Sequence, residues 1–294
     1  MPIRDIEQLA NIEALMGEMA EAEPGGALID SALARLKGLD TLVAAVADGD
    51  HGAARTINAE RCALRGSAAK RKASLFAREV LRKGKSRTEI NQAAKEMKRA
   101  LQESADFYGT GEGRPGEPDF RPYNALNRLA LEALLLPPEG ERQAAIELAR
   151  HAGRAASDAF ERSASPWDAV MESEALLVER LLDRRLLADG DAGAAVFDEL
   201  ARAYRERLSH LSIKPRELDS VAAQICLLSK FCDARQLASG DPGWQRAADR
   251  LIALAEQIRP GACQRLDRPL HEPADEATAA DPVGPGRRRA TRKS

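Results

Sequence analysis

Apolar residues recur at intervals of three and four from the start of this chain to about position 260, the spacing of helices that bury one face. Ile6, Leu9, Ile12, Leu15, Met16 and Met19 predict an opening helix, which Pro24-Gly25-Gly26 breaks. Leu28, Ile29, Leu33 and Leu36 start another. Gly38 and Asp40 then mark a turn, and Leu42 to Val46 form a short apolar run ahead of Asp48-Gly49-Asp50-His51-Gly52. A long helical segment follows from Thr56 to about Lys83, with Thr56 or Asn58 as its cap. Inside it Gly66, Ser67, Ala68 and Ala69 interrupt the helix where a partner helix would need close approach, and the basic triplet Lys70-Arg71-Lys72 comes directly after.

Gly84 ends that segment, and Ser86 with Glu89 three residues on reads as a capping box. The helix it opens runs through Ile90, Ala94, Met97, Leu101 and Ala105 to Tyr108. The glycine- and proline-rich stretch from Gly109 to Pro122 is a loop, helix resumes at Tyr123, and Pro137-Pro138 stops it. From Glu139 to about Arg162 alanines form a narrow face that admits close helix packing. Later helices open at Ser165-Pro166-Trp167, after the turn Gly190–Gly193, at Pro215 and just before Trp244, the last ending at Pro260-Gly261. No strand is predicted. The pattern gives an all-α fold of about ten helices, paired as stacked antiparallel hairpins in a degenerate solenoid. It divides into a short-helix region at 1–52, a helical repeat domain at 53–262 and a disordered tail at 263–294 that ends in Arg287-Arg288-Arg289 and Arg292-Lys293.

Composition adds limits. Aromatic residues make up 4%, which with many alanines favours helices packed through small side chains over a β-sandwich. A formal net charge of -2 singles out no nucleic-acid or membrane partner. Cys62, Cys226, Cys232 and Cys263 lie in no metal-ligand spacing and read as buried thiols of a reducing, cytoplasmic protein. No apolar run has the length of a membrane span.

The run Glu60-Arg61, Ala63-Leu64-Arg65-Gly66-Ser67-Ala68 and Lys70-Arg71 resembles an ER-x-aLlGSayKR pattern. Tyr108 followed by its loop and Tyr123-Asn124-Ala125-Leu126-Asn127 resembles a Y-pglN element. Both resemble tetratricopeptide-like (TPR-like) helical domains of bacterial proteins tied to caspase-like or CHAT peptidases, and a related layout occurs in the helical domain that binds TRAF proteins. Ala69 stands where an aromatic is usual, and the Trp, Tyr and Pro markers of a regular repeat are missing. The resemblance implies an accessory or scaffold role in bacterial defence, with any catalysis on a peptidase partner.

Three features compete as chemistry. Asp48-Gly49-Asp50-His51-Gly52 resembles the metal-nucleotide loop of dihydroxyacetone-kinase-type phosphotransferases, and Asp48 and Asp50 could hold Mg²⁺ against phosphates, although an Asp/Gly turn explains it equally. Residues 60–100 carry 13 Lys/Arg against 4 Asp/Glu, a solvated helix pair or a groove for an acidic peptide or nucleic acid. Asn124 and Asn127 share a helix face and could bond the backbone of an extended ligand or tie down the loop before them. His151 and His210 read as packing or surface residues, and Trp167 and Trp244 as core anchors. The sequence reading is a non-catalytic, cofactor-free protein-binding scaffold. Its recognition face is the concave side of residues 56–135, with Lys70, Arg71, Tyr123, Asn124 and Asn127 as the binding residues. The rivals are a Mg²⁺-dependent phosphotransferase and a nucleic-acid-associated helical protein.

Overall fold

The structure is a computed structural model that describes residues 3–46, 51–136, 138–163, 165–209 and 214–263. These fold into ten α-helices with no strand among them: α1 (Ile3–Met19), α2 (Ala22–Val46), α3 (His51–Leu81), α4 (Arg87–Thr110), α5 (Pro122–Leu135), α6 (Glu139–Ser163), α7 (Pro166–Leu182), α8 (Gly190–Ser209), α9 (Pro215–Ser239) and α10 (Pro242–Ile258). A single 3₁₀ turn, Arg185–Leu187, separates α7 from α8. Apart from Cys263, the sequence-predicted tail lies outside the described residues, as do the Asp48-Gly49-Asp50 segment and His210.

Hairpins dominate, as the pattern predicts. Glu13–Arg35 ties α1 to α2, Ser104 donates to the Gly66 carbonyl between α4 and α3, Arg150–Glu179 joins α6 to α7, and Arg259–Asp219 joins α10 to α9. Gly17 near the end of α1 meets Gly25 near the start of α2, and Arg259 past the end of α10 meets Asp219 in the first turns of α9, as antiparallel partners do. The array also closes on itself, because α9 returns to pack against α3 and α4. A single core runs from Ala73 on α3 through Leu129, Leu181 and Tyr204 to Leu251 on α10, and a smaller cluster joins α1 and α2 to α3.

Several boundaries differ from the sequence reading, each for a physical reason. Pro24-Gly25-Gly26 starts α2 instead of breaking α1, because a proline in the first helical turn has no N–H to satisfy. Gly25 is required there by a close crossing: a Cβ on it would lie 2.3 Å from the Gly17 carbonyl. Gly38 and Asp40 sit inside α2, where the buried neighbours Leu36 and Leu39 outweigh the roughly 1 kcal/mol cost of a helical glycine. Gly66 does not interrupt α3 either. A Cβ at this position would meet the Tyr108 ring at 2.6 Å, so the missing side chain is what lets α4 approach. Gly66→Val is expected to cost about 1–3 kcal/mol by overpacking, read as a lower denaturation midpoint, and an unchanged midpoint would refute this account of the α3–α4 contact. Trp244 is buried as expected, but Trp167 is 45% exposed, so only the first anchors a core.

The four-thiol expectation is corrected as well. Cys226 on α9 and Cys263 beyond α10 form a disulfide with a Cα–Cα distance of 5.4 Å, while Cys62 and Cys232 are free and buried. Sequence spacing cannot find such a bond, since the residues are 37 apart and meet only because α9 and α10 form a hairpin.

Arginines close many helix ends. Arg78 donates to the Ala20 carbonyl just past α1, Arg87 to Leu237 and Ala238 in the last turn of α9, and Arg235 to Leu134 in the last turn of α5. The final carbonyls of a helix lack intrahelical donors and carry partial negative charge, so a guanidinium satisfies them and complements the dipole.

Candidate functional site

The basic segment of α3 is mostly spent inside the fold. Arg61 and Arg65 pair with Asp40 of α2, and Lys85 pairs with Glu79 and Glu89. The triplet fans out because successive helical residues point about 100° apart. Lys72 reaches Asp30 of α2 at 2.5 Å, and Arg71 reaches the Asn11 side chain at 2.8 Å and Glu18 of α1 at 3.5 Å. Lys70 turns inward.

Lys70 is 6% exposed, and its ammonium donates to Asn127 Oδ1 of α5 and Gln224 Oε1 of α9, both at 2.8 Å. Gln224 Nε2 donates to the same Asn127 oxygen at 3.3 Å, and Asn127 Nδ2 donates to the Tyr123 carbonyl at 3.0 Å. The Lys70 nitrogen also lies 5.6 Å from the Tyr108 ring centroid. Glu174 of α7 is the leading opposite charge acting on Lys70, yet the two form no ion pair. Burial pulls the Lys70 ammonium down to about 8 and pushes the Glu174 carboxyl up. Because the folded Lys70 value is depressed, the folded state is penalised while this group is charged, and stability is gained as pH rises from about 8 toward the unfolded value.

Phenols line the same region. Tyr108 is fully buried, and its hydroxyl has no partner of hydrogen-bond geometry, although the Tyr123 and Ser67 hydroxyls neighbour it. The Tyr108 and Tyr123 rings meet edge to face at 6.3 Å. Tyr123 is 48% exposed, so this end of the cluster reaches the protein surface. Elsewhere, the Tyr204 hydroxyl on α8, beside Leu208 and Ile258, and the Ser173 hydroxyl on α7, beside Arg150 and Glu179, are also buried without a partner. The cluster thus draws Lys70 from α3, Tyr108 from α4, Tyr123 and Asn127 from α5 and Gln224 from α9.

Of the five residues the sequence points to, Lys70, Asn127 and Tyr123 come together here, and Arg71 lies alongside. Asn124 does not join this cluster. It donates to the carbonyls of Gly111, at 2.8 Å, and Ala59, which anchors the start of the glycine- and proline-rich loop. Lys70, Asn124 and Asn127 are buried and bond within the fold, while Tyr123 stays exposed. Glu174, Tyr204 and Gln224 were beyond sequence reasoning, since each lies more than ninety residues from Lys70 on a helix with ordinary patterning. His151 packs half-buried against Phe120, with ring centroids 5.1 Å apart.

A second feature lies on α1. Its buried positions are the small residues Ala10, Ala14 and Gly17, while Ile3, Leu9, Ile12, Leu15, Met16 and Met19 are all 38–54% exposed. The small side chains face inward because α1 crosses α2 closely, at Gly17 and Gly25, which leaves the large side chains outward. Residues 3–23 carry six Asp/Glu against one Arg; Glu13 and Glu18 pair with Arg35 and Arg71, and Asp5, Glu7, Glu21 and Glu23 against Arg4 keep this stretch acidic.

Among the described residues no group of three His, Cys, Asp or Glu side chains is arranged to hold a metal, and no helix is long and apolar enough to cross a membrane. No protein-family model matches the chain, and no curated protein or solved structure shows significant similarity to it.

Proposed function

We propose that this chain is a non-catalytic protein-binding module that docks through α1. The observation that carries the reading is the inversion of that helix, with alanine and glycine inside and a row of Ile, Leu and Met outside. Soluble proteins seldom leave so many large apolar side chains contiguous unless a partner covers them. Leu9, Ile12, Met16 and Met19 follow the three-and-four spacing of helix-to-helix recognition, and a 17-residue helix offers a contact about 25 Å long. The acidic border selects the occupant: a partner helix with an apolar stripe and lysine or arginine flanks. A second copy of α1 would set acid against acid. Methionines at two contact positions let the ridge adapt to the partner's side chains.

The test places a photo-crosslinking residue at Leu15 in the full chain and identifies the partner peptides by mass spectrometry, beside an Ile12→Glu/Met16→Glu variant. Crosslinks to basic-flanked amphipathic helices, reduced at least tenfold in the variant, are the expected result. Crosslinks only to another copy of this chain, or capture unaffected by the two glutamates, would overturn the reading.

A further inference from the structure

We infer that the basic segment 287–293 of this chain docks back onto α1 and is the resident occupant of the apolar ridge. Only the consequence rests on the docking reading: an outside partner must displace this segment. Five of its seven residues are cationic, Arg287, Arg288, Arg289, Arg292 and Lys293, and none is acidic. Residues 264–286, which link it to the fold, carry five Asp/Glu against two Arg, so the positive charge is gathered in the docking segment alone. The disulfide fixes where the link begins. Cys263 is held 5.4 Å from Cys226, Cα to Cα, and Cys226 stands two residues past Gln224 on α9. Gln224 accepts from Lys70 at 2.8 Å, and the next residue, Arg71, donates to Asn11 of α1 at 2.8 Å. Even with every side chain on that path stretched out, Cys263 lies within roughly 40 Å of Asn11. Arg287 follows Cys263 by 24 residues, a length that extends to about 80 Å. The segment therefore reaches α1 with length to spare, and its covalent attachment supplies an effective concentration of order 1 mM.

Charge and spacing fit the ridge. Asp5 is exposed at the start of α1, and Glu21 and Glu23 are exposed where α1 ends and α2 begins. Helical rise sets these two acidic ends roughly 25 Å apart. An extended segment from Arg287 to Lys293 spans about 20 Å, and the arginine side chains add reach at both ends. Arg287-Arg288-Arg289 thus meets one acidic end and Arg292-Lys293 the other, with the small residues Ala290 and Thr291 over the ridge between them. Arginine suits both halves of the surface. Its aliphatic stem lies along apolar side chains such as the exposed Ile12 and Met16, while its guanidinium bonds a carboxylate.

The experiment uses the full chain with ¹³C-methyl methionine and a nitroxide on Thr291→Cys. Cys62 and Cys232 are buried and Cys226 and Cys263 are bonded, so the label goes to the new thiol. The Met16 and Met19 methyl signals on α1 are expected to lose about threefold or more in intensity, while Met171 of α7, a helix not packed on α1, keeps most of its own. Arg287→Glu/Arg288→Glu/Arg289→Glu in the labelled chain, or about 1 M salt, should restore both signals. Full intensity at Met16 and Met19, or a loss that the three glutamates leave unchanged, would overturn the inference. So would the same loss in a mixture where nitroxide and ¹³C sit on separate chains, because the occupant would then be a second copy. The consequence is read with the Leu15 crosslinker: the three glutamates should raise partner capture about threefold or more, and unchanged capture would overturn the competition. Lost Met16 and Met19 intensity with no partner captured would sink the docking reading and leave the back-docked segment standing, whereas capture with full intensity would do the reverse.

Discussion

Reduction of the Cys226–Cys263 disulfide is expected to lower the unfolding free energy of the full chain by about 4 kcal/mol. The bond closes a loop across 37 positions that holds the second half of α9 and all of α10, and a loop of that size is costly to hold together in an unfolded chain. Other contacts already fix the native hairpin. Arg259 bonds Asp219 at 2.7 Å, Gln245 bonds Asp233 at 3.1 Å, and Trp244, Ala247, Ala248 and Leu251 are buried along α10. Reduction should therefore leave the folded structure in place and act on the unfolded state. The measurement is guanidinium denaturation with and without a phosphine reductant, with Cys263→Ser as a reductant-free control. The reduced protein and the variant should share one lowered midpoint. Superimposable curves for oxidised and reduced protein would show that the bond constrains nothing.

Arg180→Met should destabilise by about 3–5 kcal/mol, as removal of one partner from a buried ionic network does. Arg180 is 9% exposed and bonds both oxygens of Glu199 at 2.8 Å, Glu179 at 2.7 Å and Asp183 at 3.2 Å. Glu179 is itself buried and also takes a two-pronged bond from Arg150. Methionine would fill most of the space and leave these carboxylates short of donors. The bond from Arg180 holds Glu199 below its ordinary range, and bonds from Arg150 and Arg180 do the same for Glu179. Lowered carboxyl values contribute stability above the unfolded value and lose it as pH falls through the folded one. The gap between wild type and variant should thus be widest near neutrality and narrow on acidification below about pH 4.5. Thermal unfolding of both proteins between pH 7 and pH 3 reads it, and a gap that stays constant or widens toward acid would refute the ionic account.

Local chemistry was legible and long-range chemistry was not. Ser86 and Glu89 form the reciprocal cap their spacing announces, and Pro166 and Pro215 open helices as expected. Glycines misled where a close crossing, not a turn, required them, as at Gly25 and Gly66. The apolar spacing of α1 identified a helix but not its inner face, because hydrophobicity favours burying Ile12 and Met16 while the close crossing with α2 admits only Ala10, Ala14 and Gly17. The basic triplet drew attention for its charge, but its role depends on which neighbour each side chain meets. Lys70 meets Gln224, 154 positions away, and nothing in the sequence between them signals the pairing.

The return of α9 has a consequence for how the chain matures. Emerging from the ribosome, α3 to α5 can form their hairpin contacts early, but Lys70 lacks its second acceptor, Gln224, and Arg87 lacks the α9 carbonyls until residues 224 to 238 have been made. The middle of the protein must wait for nearly its whole length, so synthesis halted after α8 yields a nascent chain with an incomplete centre, the kind of species that chaperones hold and proteases clear.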